Sequence, residues 1–458
     1  MSSLILLSVL GVLLLYVGLF GAGDKAGASR VLAPIAVIGV CGAIALLVRD
    51  YQVNIPDFAH MLQWDDTGRL FSIGILGITA LIFLFGMDYY AKEERDVAEQ
   101  FALIAFSLVG ALMLTSYTNL LALFLGIEVL SIPLYILAGG KRHSFRSSEA
   151  SFKYFLMGSF ASAFLLMGIA LIYGVCASFE LWRITEVAAT SDKNILFILG
   201  GFFVLVGLTF KVAAAPFHFW SPDVYEGAPT LVTAYMATVV KMAAFAGLLR
   251  FVSMSGMPMA VGYALVVMAA ATLLVGNIVA LRQSHFKRLM AYSSIAHSGF
   301  LLMAIVSGTP DRDAALFYYT FTYSIATLGL FMVMTIAKRA ANGDEHIRIF
   351  RGLFRANPWM GLVVLLLLLS LAGIPLTAGF MAKFKVFQIA LAMGHVKLTV
   401  LAVVMALVGI YYYAVVIREA FTPAEETPAL VVSPLNLLVI SLCGIAVVVL
   451  GVMPGWVL

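Results

Sequence analysis

The sequence predicts an all-α, polytopic membrane protein of about 14 transmembrane helices, two of them broken. Three observations predict it. Hydrophobic residues make up 62% of the chain and charged residues only 11%, against about 25% charged in soluble domains. Apolar runs of about twenty residues, the length that spans a bilayer as helix, recur with short polar breaks. Finally, several lysines and Glu128 fall well inside those runs, where a charge costs roughly 2.5–3.5 kcal/mol and is rarely kept for packing alone.

The runs lie near 2–20, 30–49, 68–88, 97–116, 119–139, 150–174, 194–221, 229–251, 258–281, 289–308, 313–338, 358–393, 395–419 and 432–455. The first lacks a basic stretch before it and reads as a membrane helix, not a cleaved signal. No gap is long enough for a soluble domain. The net charge of +4 is spread between helices, so no basic arm exists for nucleic acid. Cys41, Cys176 and Cys443 are too far apart for a cluster or zinc site and read as packing residues. The glycine-rich GAGDKAG at 21–27 follows no strand and fails as a nucleotide-binding signature.

An even helix count puts both termini on one side. Lysines and arginines of the loops favour the opposite side about two to one, with Lys92, Arg95, Lys141, Arg142, Arg282 and Arg355 among them. The positive-inside rule then places both termini outside the cytoplasm.

The seventh and twelfth runs are long and interrupted. The seventh continues as KVAAAPFHFWSPDVYEGAPT from Lys211, where Pro216, Pro222, Gly227 and Pro229 break the helix. The twelfth reads LLLLLSLAGIPLTAGFMAKFKVF, with Gly373, Pro375 and Gly379 ahead of Lys383. Such backbone survives at membrane depth only when buried in protein or lining a water-filled cavity. Paired interruptions in corresponding positions point to an inverted repeat with a midplane site. This divides the chain into an N-terminal three-helix segment (1–96), a first repeat of helices 4–8 (97–251), a second of helices 9–13 (252–419), and a final helix (420–458).

Candidate site residues follow from charge and depth. Glu128 has no other charge within ten residues and must pair or take up a proton, and Lys153 is the nearest partner in sequence. The bland alternative is a static ion pair. Lys211 and Lys241 lie deep in neighbouring segments, where an amine taken out of water can release and regain a proton; snorkelling to the interface is the alternative, strongest for Lys153. Lys383 and Lys385 stand about 200° apart on a helix, so only one faces the axis, and Lys383 beside the break is preferred. His218 and His297 can relay protons through either ring nitrogen, or serve merely as satisfied hydrogen-bonders.

The runs LGIEVLSIPLYILAGG, FKVAAAPFHFWSPDVYEGAPT, AYSSIAHSGF and LAGIPLTAGFMAKFKVF resemble the antiporter-like membrane subunits of proton-pumping NADH:quinone oxidoreductase (respiratory complex I), a family shared with multisubunit cation/proton antiporters. The resemblance covers about residues 97–418 and is nearest to the subunit N group. Lys383 stands where the subunit M pattern has glutamate, and no long lateral helix of the subunit L kind follows. The resemblance implies that Glu128 pairs with Lys153, and that Lys211, Lys241, His218, His297 and Lys383 lie on a central polar axis. Helix 13 lacks a lysine to match Lys241, so the second half would rely on His297, Lys383, hydroxyls and water. The resemblance also implies a chain without cofactor in a bacterial inner membrane. NADH, FMN, iron–sulfur clusters and quinone would belong to partner subunits, and the partners would be other membrane subunits of the complex. Two rivals stay open: a cation/proton antiporter or ferredoxin-linked subunit, and a structural subunit whose charges only lock neighbours together.

Overall fold

The structure is a computed structural model that describes residues 1–20, 25–49, 61–91, 97–141, 143–191, 194–254, 256, 258–341, 343–424 and 430–457. His60, Lys92, Arg95, Arg142, Lys193 and most of the GAGDKAG stretch lie outside the described residues. Among the described residues there is no strand, only isolated bridges such as His285 with His346.

Among the described residues, twelve helices are long and apolar enough to cross a membrane. A helix satisfies its own backbone groups, which is why apolar sequence in lipid takes this form. The first six are α1 (Ser2–Phe20), α2 (Lys25–Arg49), α3 (Asp66–Ala91), α4 (Val97–Ser116), α5 (Leu120–Ala138) and α6 (Phe145–Cys176). Asn119 caps α5 by accepting from the Leu121 amide, one of the amides that a helix start leaves unpaired. A short amphipathic helix, α7 (Leu181–Ser191), occupies what the sequence leaves as loop.

The seventh apolar run is divided, as its prolines require. Helix α8 (Ile195–Lys211) ends at the lysine, and α9 (Trp220–Gly227) follows after an irregular stretch. The eighth run begins as α10 (Thr230–Tyr235), passes through a π-helical turn at Met236–Val240, and continues as α11 (Lys241–Met254). Then come α12 (Met259–Ala280), α13 (Phe286–Val306), α14 (Arg312–Ala340) and the short α15 (Leu353–Ala356). The twelfth run is divided into α16 (Pro358–Ala372) and α17 (Ala378–Ala392), and α18 (Val396–Phe421) and α19 (Pro434–Val452) close the chain. Each break holds a non-glycine residue in the left-handed region, Ala213 (φ 55°) in the first and Leu376 (φ 71°) in the second, a strain of the kind that clusters at functional sites.

Burial sorts the helices. The α10–α11 span, α13 and α14 are almost wholly enclosed, whereas α1, α2, α6, α12 and α18 keep much of their surface free. The enclosed helices carry the polar positions Thr238, Ser293, Ser294, Ser298, Thr320, Thr322 and Thr327. The centre is thus polar and the periphery apolar, the reverse of a soluble bundle.

Candidate functional site

Lys211, Lys241 and Lys383 are all enclosed, each under a tenth exposed. None forms an ion pair among the described residues; hydroxyls, carbonyls and ring faces surround them instead. An isolated buried ammonium is costly, so each amine sits where its charge has no fixed counter-ion.

Lys211 is the last residue of α8, a position where the helix dipole favours a cation. Its Nζ donates to Ser131 Oγ on α5 (2.8 Å) and to Tyr154 OH on α6 (2.9 Å). The Tyr154 ring is held from two directions, stacked on Trp220 at 4.6 Å and edge-on to Tyr135 at 4.8 Å. Trp220 in turn donates from Nε1 to the Phe210 carbonyl (3.0 Å), tying α9 back onto α8 across the break. Glu128 stands one helical turn before Ser131, the acceptor of Lys211, on α5.

The expected Glu128–Lys153 pair is not formed. Glu128 accepts from Ser162, whereas Lys153 pairs with Glu149 at 2.7 Å and Asp223 at 2.6 Å. The reason is depth. On α6, Ser162 lies nine residues beyond Lys153, about 13 Å at helical rise, and α5 presents Glu128 at the deeper level. Lys153 is 39% exposed and belongs to a wet cluster at one end of the bundle. There Arg288 spans Asp223 (2.9 Å) and Glu226 (3.0 Å), and Arg146 lines the same hollow of about 180 Å³.

Lys241 follows directly on the π-helical turn, an irregularity common at functional sites. Its Nζ donates to the Ser294 carbonyl and to Ser294 Oγ on α13, and lies 5.2 Å from the Tyr323 ring centre. Ser298, one turn on, donates to the Ser294 carbonyl (3.1 Å) and to the Val212 carbonyl just after Lys211 (2.6 Å). One serine thus bridges the surroundings of the two lysines.

His297 is clamped by tyrosines. Nδ1 meets Tyr319 OH on α14 at 3.0 Å, and Nε2 meets Tyr413 OH on α18 at 3.2 Å. Tyr413 also bonds Ser293. Helix α18 has no lysine at this level, and a tyrosine hydroxyl reaches the axis from it.

Lys383 folds back onto the end of α16, donating to the Leu371 (3.0 Å) and Ala372 (2.8 Å) carbonyls. Those carbonyls are among the acceptors a helix end leaves unpaired. Gly373 makes the fold-back feasible: its φ is +82°, and a Cβ there would sit 2.8 Å from Lys383 Cδ. Lys385 is only half-buried on another face.

His218 is enclosed against Phe219, ring centres 4.3 Å apart. No hydrogen bond joins it to another expected site residue among the described residues. The structure therefore gathers Lys211, Lys241, His297 and Lys383 with Glu128 nearby, while Lys153 stands at the margin and His218 apart. Sequence reasoning missed Ser131, Tyr154, Asp223, Arg288, Ser294, Tyr319 and Tyr413. Ser131 and Ser294 stand inside the conspicuous motifs, spaced to share a face with Glu128 and His297; nothing marked the tyrosines out from other aromatic residues.

Residues 117–409 match the model of the family described as NADH:quinone oxidoreductase/Mrp antiporter, TM. The chain is 37% identical over 429 residues to NADH-quinone oxidoreductase subunit N of Trichlorobacter lovleyi, covering 92% of this chain and 87% of that one. It is also 37% identical over 449 residues to the subunit of that name from Halorhodospira halophila, covering 96% and 92%. Among solved structures, a chain of respiratory complex I from Thermus thermophilus superposes with a TM-score of 0.85 at 34% identity, covering 99% of this chain and 97% of that one. A chain of an archaeal membrane-bound sulfane sulfur reductase gives 0.87 at 22% identity, covering 99% and 94%, a likeness of fold.

Proposed function

This chain belongs to the transmembrane family of NADH:quinone oxidoreductases and Mrp antiporters, and from that premise we propose that it is a proton-translocating membrane subunit of an NADH:quinone oxidoreductase. The observation that carries the reading is the set of three enclosed lysines without ion-pair partners among the described residues, Lys211 and Lys241 joined through serines and Lys383 held by helix-end carbonyls, each set at a helix break or π turn. Amines so placed, between neutral hydrogen-bonding groups, can exchange protons as the field around them changes. A structural lock would instead pair them, as Arg250 is paired with Asp65.

In this reading redox chemistry, with NADH, FMN, iron–sulfur clusters and quinone, belongs to partner subunits, and its effect arrives as an electrostatic disturbance. Protons are taken up beside the Asp223–Lys153–Arg288 cluster, held at Lys211 under the influence of Glu128, and passed by Ser298 and Lys241. They leave by way of His297, Tyr413 and Lys383. The subunit sits in the bacterial inner membrane with both termini on the non-cytoplasmic side, and its two five-helix halves are inverted repeats.

The test is NADH-driven proton pumping in vesicles by complexes carrying Lys211→Ala or Lys383→Ala. Loss of pumping by about tenfold or more, with assembly intact, is expected for a removed proton carrier. Normal pumping in both would overturn the reading. A tagged chain that brings down small antiporter subunits without redox proteins, and transports only with sodium, would move it to the antiporter branch of the family.

A further inference from the structure

Lys241 and His297 lie close on the polar axis, yet no hydrogen bond joins them among the described residues. Lys241 spends its ammonium on the Ser294 carbonyl and Oγ, and the two ring nitrogens of His297 are taken by Tyr319 and Tyr413. Tyr323 of α14 packs against both. Its ring centre lies 5.2 Å from Lys241 Nζ and 4.7 Å from the centre of the His297 ring. The hydroxyls of α14 are of two kinds. Thr320, Thr322, Ser324 and Thr335 donate to carbonyls one turn back in their own helix, and Tyr318 donates to the Leu450 carbonyl of α19 (2.7 Å). The hydroxyls of Tyr323 and Thr327 are buried and make no hydrogen bond among the described residues. A buried hydroxyl left unpaired is costly, and such groups are kept for a functional reason or hold an ordered water. Tyr319, Tyr323 and Thr327 follow at four-residue spacing, so they form one stripe along α14. The first of them is already bonded to His297 Nδ1 at 3.0 Å.

From this arrangement we infer that Tyr323 is a relay residue, carrying protons between Lys241 and His297 with a water held on its hydroxyl and that of Thr327. The inference rests on the proton-translocating reading above. In the transfer an N–H bond of the Lys241 ammonium breaks and an N–H bond forms at His297 Nδ1, in the tautomer whose Nε2–H donates to Tyr413. Between them, one O–H bond forms and one breaks at each oxygen of the chain: the water, Tyr323 and Tyr319. Lys241 ends neutral, His297 ends as the cation, and no oxygen gains or loses a proton overall. A phenol suits this task because it donates and accepts at the same atom.

Tyr323→Phe supplies the test, because it removes the hydroxyl and keeps the ring against Lys241 and His297. In the assembled complex, reconstituted into vesicles, pumping per NADH oxidised is expected to fall about tenfold. The melting temperature should not fall, since no hydrogen bond is lost. D₂O should slow the residual pumping of this variant more than that of the wild type, because the proton hop has become the slow step. Thr327→Val removes the second unpaired hydroxyl at nearly constant volume and should lower pumping in the same direction; it carries the test if Tyr323→Phe does not assemble. Tyr318→Phe is the control. It loses the bond to Leu450, so its melting temperature should drop while pumping stays normal. Normal pumping in Tyr323→Phe, or in Thr327→Val where the first does not assemble, alongside a defective Lys211→Ala would overturn the relay alone. Normal pumping in Lys211→Ala and Lys383→Ala as well would overturn the reading on which it rests.

Discussion

Lys211 shows what a single residue's surroundings decide. Its two hydrogen bonds go to hydroxyls, one of them on a tyrosine wedged between Trp220 and Tyr135. Tyr154→Phe removes that acceptor and keeps the stacked ring. It should cost about 1 kcal/mol of stability, leave assembly intact, and lower the rate of pumping per NADH oxidised. Unchanged pumping would make Tyr154 a packing residue only. Asp223 differs. Its bonds to Lys153 and Arg288 are half-exposed, and each cation keeps a second carboxylate. Asp223→Asn should therefore shift the melting temperature little, since pairs this wet contribute about 0–1 kcal/mol. A large drop in melting temperature would show the cluster to be a structural lock.

At the scale of elements, the helix breaks position the chemistry. The α16–α17 break depends on Gly373 twice, for its left-handed φ and for the space occupied by the Lys383 stem. Gly373→Ala should cost roughly 1–3 kcal/mol in backbone strain and displace Lys383, so that pumping falls as well. Gly343 is a matched control, with φ +93° and nothing within 4 Å of a Cβ. Gly343→Ala should cost strain alone and leave pumping unchanged. Equal pumping by the two variants would disconnect the break from function.

At the scale of the whole molecule, ion pairs at the helix ends join elements distant in sequence. Glu345, between α14 and α15, pairs with Lys287 of α13 at 3.2 Å and also with Lys338 of α14. Burial pushes its carboxyl upward, but the two ammonium groups outweigh that and hold it below the usual value of 4.5. A depressed folded value means the stabilisation is fully present above about pH 4.5 and fades as pH falls through the lower folded value. Melting temperature in detergent should fall across that acidic window. In Glu345→Gln the same loss should be present already at neutral pH, roughly 3–5 kcal/mol for leaving Lys287 enclosed without its partner. Cysteines placed at Lys397 and at Arg355 should be labelled from opposite sides of the membrane, Arg355 from the cytoplasm. Labelling of both from one side would refute the assigned topology.

The sequence by itself determined the all-helical membrane fold, the rough placing of the long apolar runs, and which lysines lie deep. Apolar length, proline and glycine act locally, and the bilayer penalises charge by depth alone, so these features are written in the order of residues. Only the tertiary structure decided the partners. Glu128 meets Ser162 and not Lys153 because helix packing sets the depth at which α5 faces α6. Tyr413 reaches His297 because α18 lies against α13, a pairing that no periodicity encodes. The turn of α10 into α11 is π-helical although its sequence reads as ordinary helix, and that turn leads directly into Lys241, which rests on Ser294. Partners across helices come from packing, and packing is a property of the whole chain.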